Sequence, residues 1–387
     1  SWKSFLSLFI NPQSRKRAHL LLFAGAIGAI LLLWIGMQLL VLGQRTHTRE
    51  ELESRVSQIT SEISSAENRH LAGDTEGANA ILQRAEERTR QILDNGAGLF
   101  RAESLNLLDQ IRMKREEMNN ITRLSPRTLV NIGAKAPSIL AQGLVGMGDG
   151  EFIVHDRQNL YRVVLNAVED PLLLADQDLL VSGSSFPRFQ TLAFLTAGNG
   201  VLEFQGGQVT TMKTEDPSGW VKGKDIESFL RYLYLLAPEK NQIFKYERLS
   251  NRYGPAVEYN VNGDLSHAID MTIDTHIYVL QEGGNVVKLL RGESQPFTIR
   301  QLPDGALKTA TKIFKVPNGN LYFLDPLQAR VIVVSDNPTT NDANYLRQYV
   351  VEGEQVGELR DLYVDPAEVH LYLLDEKRIH VIDLQKK

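Results

Sequence analysis

The sequence predicts an all-β propeller of six blades, preceded by one transmembrane helix and a helical stalk. Three observations predict it. A short apolar phrase returns six times, most copies are followed by a second apolar run with Gly or Pro at the turns, and a charge-free stretch lies near the N-terminus. The clearest copies are Leu321-Tyr322-Phe323-Leu324-Asp325-Pro326 and Leu371-Tyr372-Leu373-Leu374-Asp375-Glu376. Leu233 to Pro238 and Ile277 to Glu282 match them, and worn copies begin at Leu192 and Glu151. The first residues are spaced by 41, 41, 44, 44 and 50 positions. Self-similarity at this period, with a β-hairpin in each unit, is the signature of a blade array.

Bulk composition sets the outer limits. The chain has 387 residues, too many for one ordinary core, so at least two structural units are expected. Charged residues make up 23% and hydrophobic residues 43%, which fits a folded protein. A net charge of −5 gives no reason to expect nucleic acid. The absence of cysteine removes disulfides, thiolate zinc sites, iron–sulfur clusters and thiol nucleophiles together, and leaves the compartment open.

In chain order, residues 1–17 read as a cytoplasmic juxtamembrane segment. Within it, Trp2 to Ile10 is aromatic-rich and suited to the membrane interface, with Asn11-Pro12 breaking it from the apolar span. Residues 18–43 read as a transmembrane helix. Leu20 to Gly43 carries no charge, and at about 1.5 Å per residue it spans roughly 36 Å, enough for a hydrocarbon core of about 30 Å. A secretory signal peptide would be shorter. The compact group Arg15-Lys16-Arg17 places the N-terminus in the cytoplasm and the propeller outside the cytoplasmic membrane. Small residues such as Gly25 and Ala29 offer a face for helix pairing, or reflect only the frequency of Gly in membrane helices.

Residues 44–125 read as a stalk of three helices. Leu52, Val56, Ile59, Ile63 and Ala66 form a heptad seam, with His70 next on it and Leu71 closing the helix. Gly73-Asp74 ends that helix and caps a second carrying Ala78, Ile81, Leu82, Ala85 and Ile92, which stops at Asn95-Gly96-Ala97-Gly98. A third carries Leu105, Leu108, Ile111, Met118 and Ile121. Short loops favour an antiparallel bundle, and a dimeric coiled coil is the rival, so homo-oligomers through the transmembrane or stalk helices are expected among its partners.

Residues 126–387 read as the propeller. The last blade supplies Leu359 to Val364, Leu371 to Leu374 and Ile379 to Leu384, one strand short of four. An unpaired edge is a liability. The β-prone region between Leu129 and Leu144 is therefore predicted to close the ring. In the fourth blade the strands are predicted at Ala268 to Ile273, Ile277 to Leu280, Val286 to Leu290 and Pro296 to Gln301. The recurring Tyr234, Tyr278, Tyr322 and Tyr372 read as packing residues.

The phrases Ala268-Ile269-Asp270-Met271-Thr272-Ile273-Asp274 before Ile277-Tyr278-Val279, and Leu359 to Pro366 before Leu371-Tyr372-Leu373, resemble NHL-type propeller repeats over roughly residues 137–387. The layout is similar to receptor-type Ser/Thr kinases with an NHL sensor domain. It also resembles membrane-anchored proteins that join a protein phosphatase 2C-like domain to an outer propeller. The chain departs from these by inserting helices after the span, and it holds no kinase or phosphatase motif, so such a domain would have to lie before Ser1.

Chemistry is sparse. The eight histidines form no metal-site spacing, and His155, His276 and His370 read as solvated turn residues. Asp270, Asp274, Asp361 and Asp365 could reach a central channel, or cap turns between blades. No nucleophile elbow or phosphate-binding loop occurs. The expectation is a chain that is not an enzyme, with no catalytic residue, metal or cofactor. Binding is expected instead from two polar loops: the one ending at Trp220, which serves as an anchor or covers a blade edge, and the insertion 335–344, represented by Asn337, Thr339, Asn341 and Asp342. The expected function is a membrane-anchored, extracytoplasmic binding or sensor module for a protein or glycan partner. The alternatives are a structural component of a surface assembly and a channel-site hydrolase or lyase.

Overall fold

The computed structural model describes residues 15–95, 98, 100–337, 340 and 342–384. It divides into two compact units, residues 1–115 and 116–387. The juxtamembrane stretch Trp2 to Ile10 and the Gly96-Ala97 stop lie outside the described residues.

In the first unit, α1 runs unbroken over Arg15–Leu71, α2 over Thr75–Asn95 and α3 over Arg101–Met118. The expected span and the first stalk helix are thus one element. Among the described residues no helix is long and apolar enough to cross a membrane, so the expected anchor is not shown. The seam of α1 is used inside the chain. Leu52, Ile59, Ile63 and Ala66 are buried, as are Ala78, Ile81, Leu82, Ala85, Thr89 and Ile92 of α2. Ion pairs Arg88–Glu62, Lys114–Glu67 and Arg115–Glu86 tie the three helices to one another within the chain. Asp74 caps α2 by accepting the Gly77 amide at 2.8 Å. Two details differ from the expectation: Leu107 is buried in α3 while Leu105 is exposed, and Ile121 belongs to a strand.

The second unit is a six-bladed propeller, each blade built from antiparallel strands around a central channel. The phrase supplies the second strand every time, as in Tyr232–Ala237, Ile277–Gln281, Leu321–Asp325 and His370–Asp375. Six apolar clusters, one between each pair of neighbouring blades, form the core. Tyr234, Tyr278 and Tyr322 lie in them, as their recurrence predicted.

The ring closes from the N-terminal side. A closing strand, Arg127–Asn131, pairs antiparallel with Arg378–Asp383 and completes blade 6. Before it, an entry strand, Ile121–Leu124, adds in parallel to the outer strand Asp342–Val351 of blade 5, which already has four strands of its own. Blade 4 differs from its predicted form. Its outer strand is Glu293–Gln295, and Thr298–Arg300 crosses over to pair with blade 5. Around the tip of the 335–344 insertion, Arg330–Asn337 and Asp342–Val351 pair as a long β-arm, with Asn337 opposite Asp342, where a polar loop was expected.

One interblade contact stands apart. Lys288 of blade 4 and Asp336 of blade 5 pair at 3.1 Å with both side chains fully buried, and the Tyr278 hydroxyl also donates to Asp336. Breaking a buried pair by removing one partner strands the other charge and costs about 3–5 kcal/mol, whereas exposed pairs contribute about 0–1 kcal/mol. Lys288→Met should therefore destabilise the propeller by about 3–5 kcal/mol in chemical denaturation. Lys222→Ala, which removes the exposed pair with Glu239, should fall within about 1 kcal/mol of wild type.

Candidate functional site

The strand registers show what surrounds the channel. Opposite the fourth residue of each phrase, the innermost strands place Leu144, Ser182, Asp225, Asp270, Lys312 and Asp361, one per blade. Three of these carboxylates reach the next blade. Asp225 accepts the Met271 amide at 2.9 Å, Asp270 the Ile313 amide at 2.7 Å, and Asp361 the Leu144 amide at 2.8 Å. They tie edge amides of neighbouring inner strands together, so their first task is structural. Ser182 donates to Asp225, and Ser184 donates to Glu227 at 2.7 Å.

Lys312 supplies a cation to this ring and meets Asp270 at 3.1 Å. Burial works against its charge, but Asp270, Asp361 and Asp225 outweigh that and hold its proton firmly. The carboxylates are too many for one ammonium. Burial, with Asp225 and Asp361 nearby, pushes Asp270 up to about 8 despite Lys312. Burial also raises Asp361, and raises Glu227 well above the ordinary range with Asp225 adding to it. The ring therefore holds protons at neutral pH.

Above the ring, on the face where the innermost strands begin, a cleft of about 800 Å³ opens across blades 4 to 6. Its aliphatic lining includes Ile269, Ala310, Pro326, Leu327 and Leu359. Leu327 is 74% exposed. Lys308 and Glu282 stand on different walls, and Arg360 pairs with Glu358 at 3.1 Å and Glu376 at 3.2 Å. Register shifts at 268/270 and 359/361 put Ile269 and Arg360 at bulges, which re-aim side chains out of the ladder. One wall depends on Gly284. At φ +90°, a Cβ there would lie 2.3 Å from the Leu307 carbonyl oxygen, so only Gly lets this turn rest on the connection into blade 5.

The residues singled out from sequence are placed elsewhere. Trp220 is half-buried between blades 2 and 3, stacked near Tyr246 and Tyr253, and its indole N–H donates to the Met212 carbonyl at 3.1 Å. Asn337 and Asp342 sit on the β-arm, where Asp342 pairs with Arg300 at 2.6 Å. Thr339 and Asn341 lie outside the described residues. Asp274 pairs with Lys315 at 3.1 Å, and Asp365 accepts the Val369 amide at 2.7 Å and meets His370 at 2.8 Å. His155 and His276 are buried, not solvated; burial lowers His155 to about 4. Among the described residues no group of three His, Asp or Glu side chains could hold a metal ion. The cleft residues left no motif to read, since they come from five separate segments of the chain.

No protein family and no curated protein matches this sequence. Solved structures do match the fold. An extracellular domain from B. thetaiotaomicron aligns with TM-score 0.49 and 12% identity over 68% of this chain and 44% of that one. A gluconolactonase from Xanthomonas campestris aligns with TM-score 0.47 and 12% identity, covering 68% and 96%. A streptogramin B lyase aligns with TM-score 0.46 and 12% identity, covering 64% and 95%. The six blades are read from the strand pairing itself, and likenesses of this degree assign this chain no activity. One expectation is corrected. The reading of the chain as non-enzymatic rested on missing motifs alone and is not retained, since structures of similar architecture include a gluconolactonase and a streptogramin B lyase.

The proton-holding ring has a measurable consequence. With a folded value near 8 against about 3.8 in the unfolded chain, Asp270 binds a proton in the native state that the unfolded state lacks between those limits. Stability from this group is full at the acid end of that window and is lost as pH rises through 8. Asp270→Asn removes that slope. The stability of the variant relative to wild type should therefore rise from pH 5 to pH 8 in thermal unfolding; a flat difference would mean that Asp270 is ionised throughout.

Proposed function

We propose that this chain is a membrane-anchored binding or sensor module that receives an extracytoplasmic protein partner in the cleft at the channel mouth. The observation that carries this reading is the cleft itself. Its volume of about 800 Å³ falls within the range of about 300–1,000 Å³ that ligand sites occupy. Its lining contains no aromatic side chain, the platform on which sugars and bases stack. An aliphatic floor with Lys308 on one wall and Glu282 on another suits an extended peptide segment: an aliphatic side chain against Leu327 and Leu359, an acidic group toward Lys308, and a basic one toward Glu282.

Anchoring rests on α1. From Leu20 to Gly43 it carries no charge, and Phe23, Leu32, Leu33 and Trp34 are 60–74% exposed. Such a surface requires cover, and a bilayer supplies it. Arg15-Lys16-Arg17 assigns the N-terminal side to the cytoplasm and leaves the propeller outside.

A second reading has an observation of its own. Protonated carboxyls lie below the cleft, at Asp270 in the ring and at Glu227 two residues beyond the ring position of blade 3, where a general acid would serve a lyase or hydrolase. Turnover lost in Asp270→Asn with binding retained would mark that case.

The absence of cysteine makes a clean test possible. A photo-crosslinker attached at Leu327→Cys of the full-length chain should form one saturable adduct in the native envelope. The same group at Arg231→Cys, in a turn at the other end of an innermost strand, should not. Adding Lys308→Glu should reduce the 327 adduct at least about tenfold, the scale of one charge-assisted contact. Equal adducts from both positions, or a yield unchanged by Lys308→Glu, would remove the cleft as the site.

A further inference from the structure

We infer that blade 5 is a relay that couples the cleft wall to the entry strand, so that occupancy of the cleft alters the grip on the segment leading in from the helices. This inference rests on the cleft being the binding site.

A continuous line of polar contacts, part-buried at Thr309 and Arg330 and fully buried at Asp325 and Gln348, makes the connection. In the cleft wall, the Thr309 hydroxyl donates to Asp325 at 2.8 Å. Asp325, the fifth residue of the phrase, is fully buried and also accepts Nε of Arg330 at 3.0 Å. Arg330 donates Nη2 to the Ala306 carbonyl at 2.8 Å, in the same connection as Thr309, and Nη1 to Oε1 of Gln348 at 3.0 Å. Gln348 is 2% exposed and pairs with Ile121 of the entry strand; its amide donates to the Asn120 carbonyl at 3.2 Å.

The far end is a clamp. The Asn120 side chain donates to the Leu346 carbonyl at 2.7 Å, the Tyr345 hydroxyl donates to the Asn119 carbonyl, and the Glu352 amide donates to the Leu124 carbonyl at 2.9 Å. Arg123 bridges Glu116 and Glu352. Each relay member has a defined partner on either side. Moving Thr309 removes one of the two hydrogen bonds that the buried Oδ2 of Asp325 accepts, and moving the Ala306 carbonyl removes the acceptor of Arg330 Nη2, so each shift is costly unless the next link moves too. Coupling of this kind is reciprocal: what tightens the clamp also tightens the cleft wall.

The test needs no ligand. Hydrogen exchange of the full-length chain would be compared across Thr309→Val, Thr309→Ser, Thr311→Val and Gln348→Leu. Thr311 lines the same cleft, is exposed, and lies outside the relay. Thr309→Val should speed exchange in segments 121–124 and 348–352 by about tenfold, within the roughly 5–150-fold that site-to-site coupling spans. Thr309→Ser, which keeps the hydroxyl, and Thr311→Val should leave those segments unchanged. In the Gln348→Leu background, Thr309→Val should add less than about twofold, because the link is already cut. Unchanged exchange in Thr309→Val, an equal effect from Thr311→Val, full additivity in the double variant, or a rise spread evenly over all blades would each overturn the relay. Capture at position 327 is measured separately. A relay that fails while capture succeeds leaves the binding site standing, and failed capture with intact coupling removes the binding site alone.

Discussion

The ring exists because innermost strands must satisfy one another across blade boundaries. A blade pairs its own strands, yet its channel-side edge leaves amides with no strand to receive them, and a buried amide without an acceptor is costly. Asp225, Asp270 and Asp361 meet that need from one register position by reaching Met271, Ile313 and Leu144 of the following blade. The last of these contacts crosses the seam between blade 6 and blade 1, the same seam that the closing strand Arg127–Asn131 serves from the outside. The chain thus shuts its ring at two radii.

That solution concentrates negative charge, and the rest of the channel answers it. Carboxylates this close and this buried cannot all ionise, so protons remain on Asp270 and Glu227, and one ammonium, Lys312, is placed among them at the ring position of blade 5. Its side chain keeps 32% exposure while that of its partner Asp270 is closed off at 7%.

Much of this architecture was legible. The phrase alternates because its side chains fill the clusters between blades, and the missing strand of blade 6 pointed to the region after Leu124. The ring was not legible as a motif. Leu, Ser, Asp, Asp, Lys and Asp share no chemistry, and the shifts at 180/182, 268/270 and 359/361 break their spacing from the phrase. The described ends of the 335–344 insertion form strands for a physical reason as well. Asn and Asp signal turns, but Asn337 pairs with Asp342 across the arm and Asp342 to Asn344 pair with Thr298–Arg300, so tertiary pairing overrode propensity there. Trp220, open in the sequence between an anchor and cover for a blade edge, has its ring against Tyr246 and Tyr253 at the contact of blades 2 and 3.

Blades 5 and 6 offer an internal comparison that bears on the relay. Blade 6 uses the same device: Asp375 accepts the Gly357 amide at 2.9 Å and meets Nε2 of His380 at 2.8 Å, while Nδ1 of His380 meets Thr128 on the closing strand at 3.2 Å. Burial works against the Asp375 charge, but His380 and three backbone amides hold it below the usual carboxylate range. The two chains of contacts look alike and end differently. The closing strand is the fourth strand of blade 6, so loosening it would open the ring. The entry strand is one that blade 5, already four-stranded, does not need for closure. Releasing it would give up a few hydrogen bonds and the contact of Leu124 with the edge of the blade 5–blade 6 cluster, and would leave all four strands of blade 5 paired. A part that can change state without unfolding its neighbours is what a switch requires. Placed between the propeller and the segment leading in from the helices, the entry strand meets that requirement where the closing strand cannot.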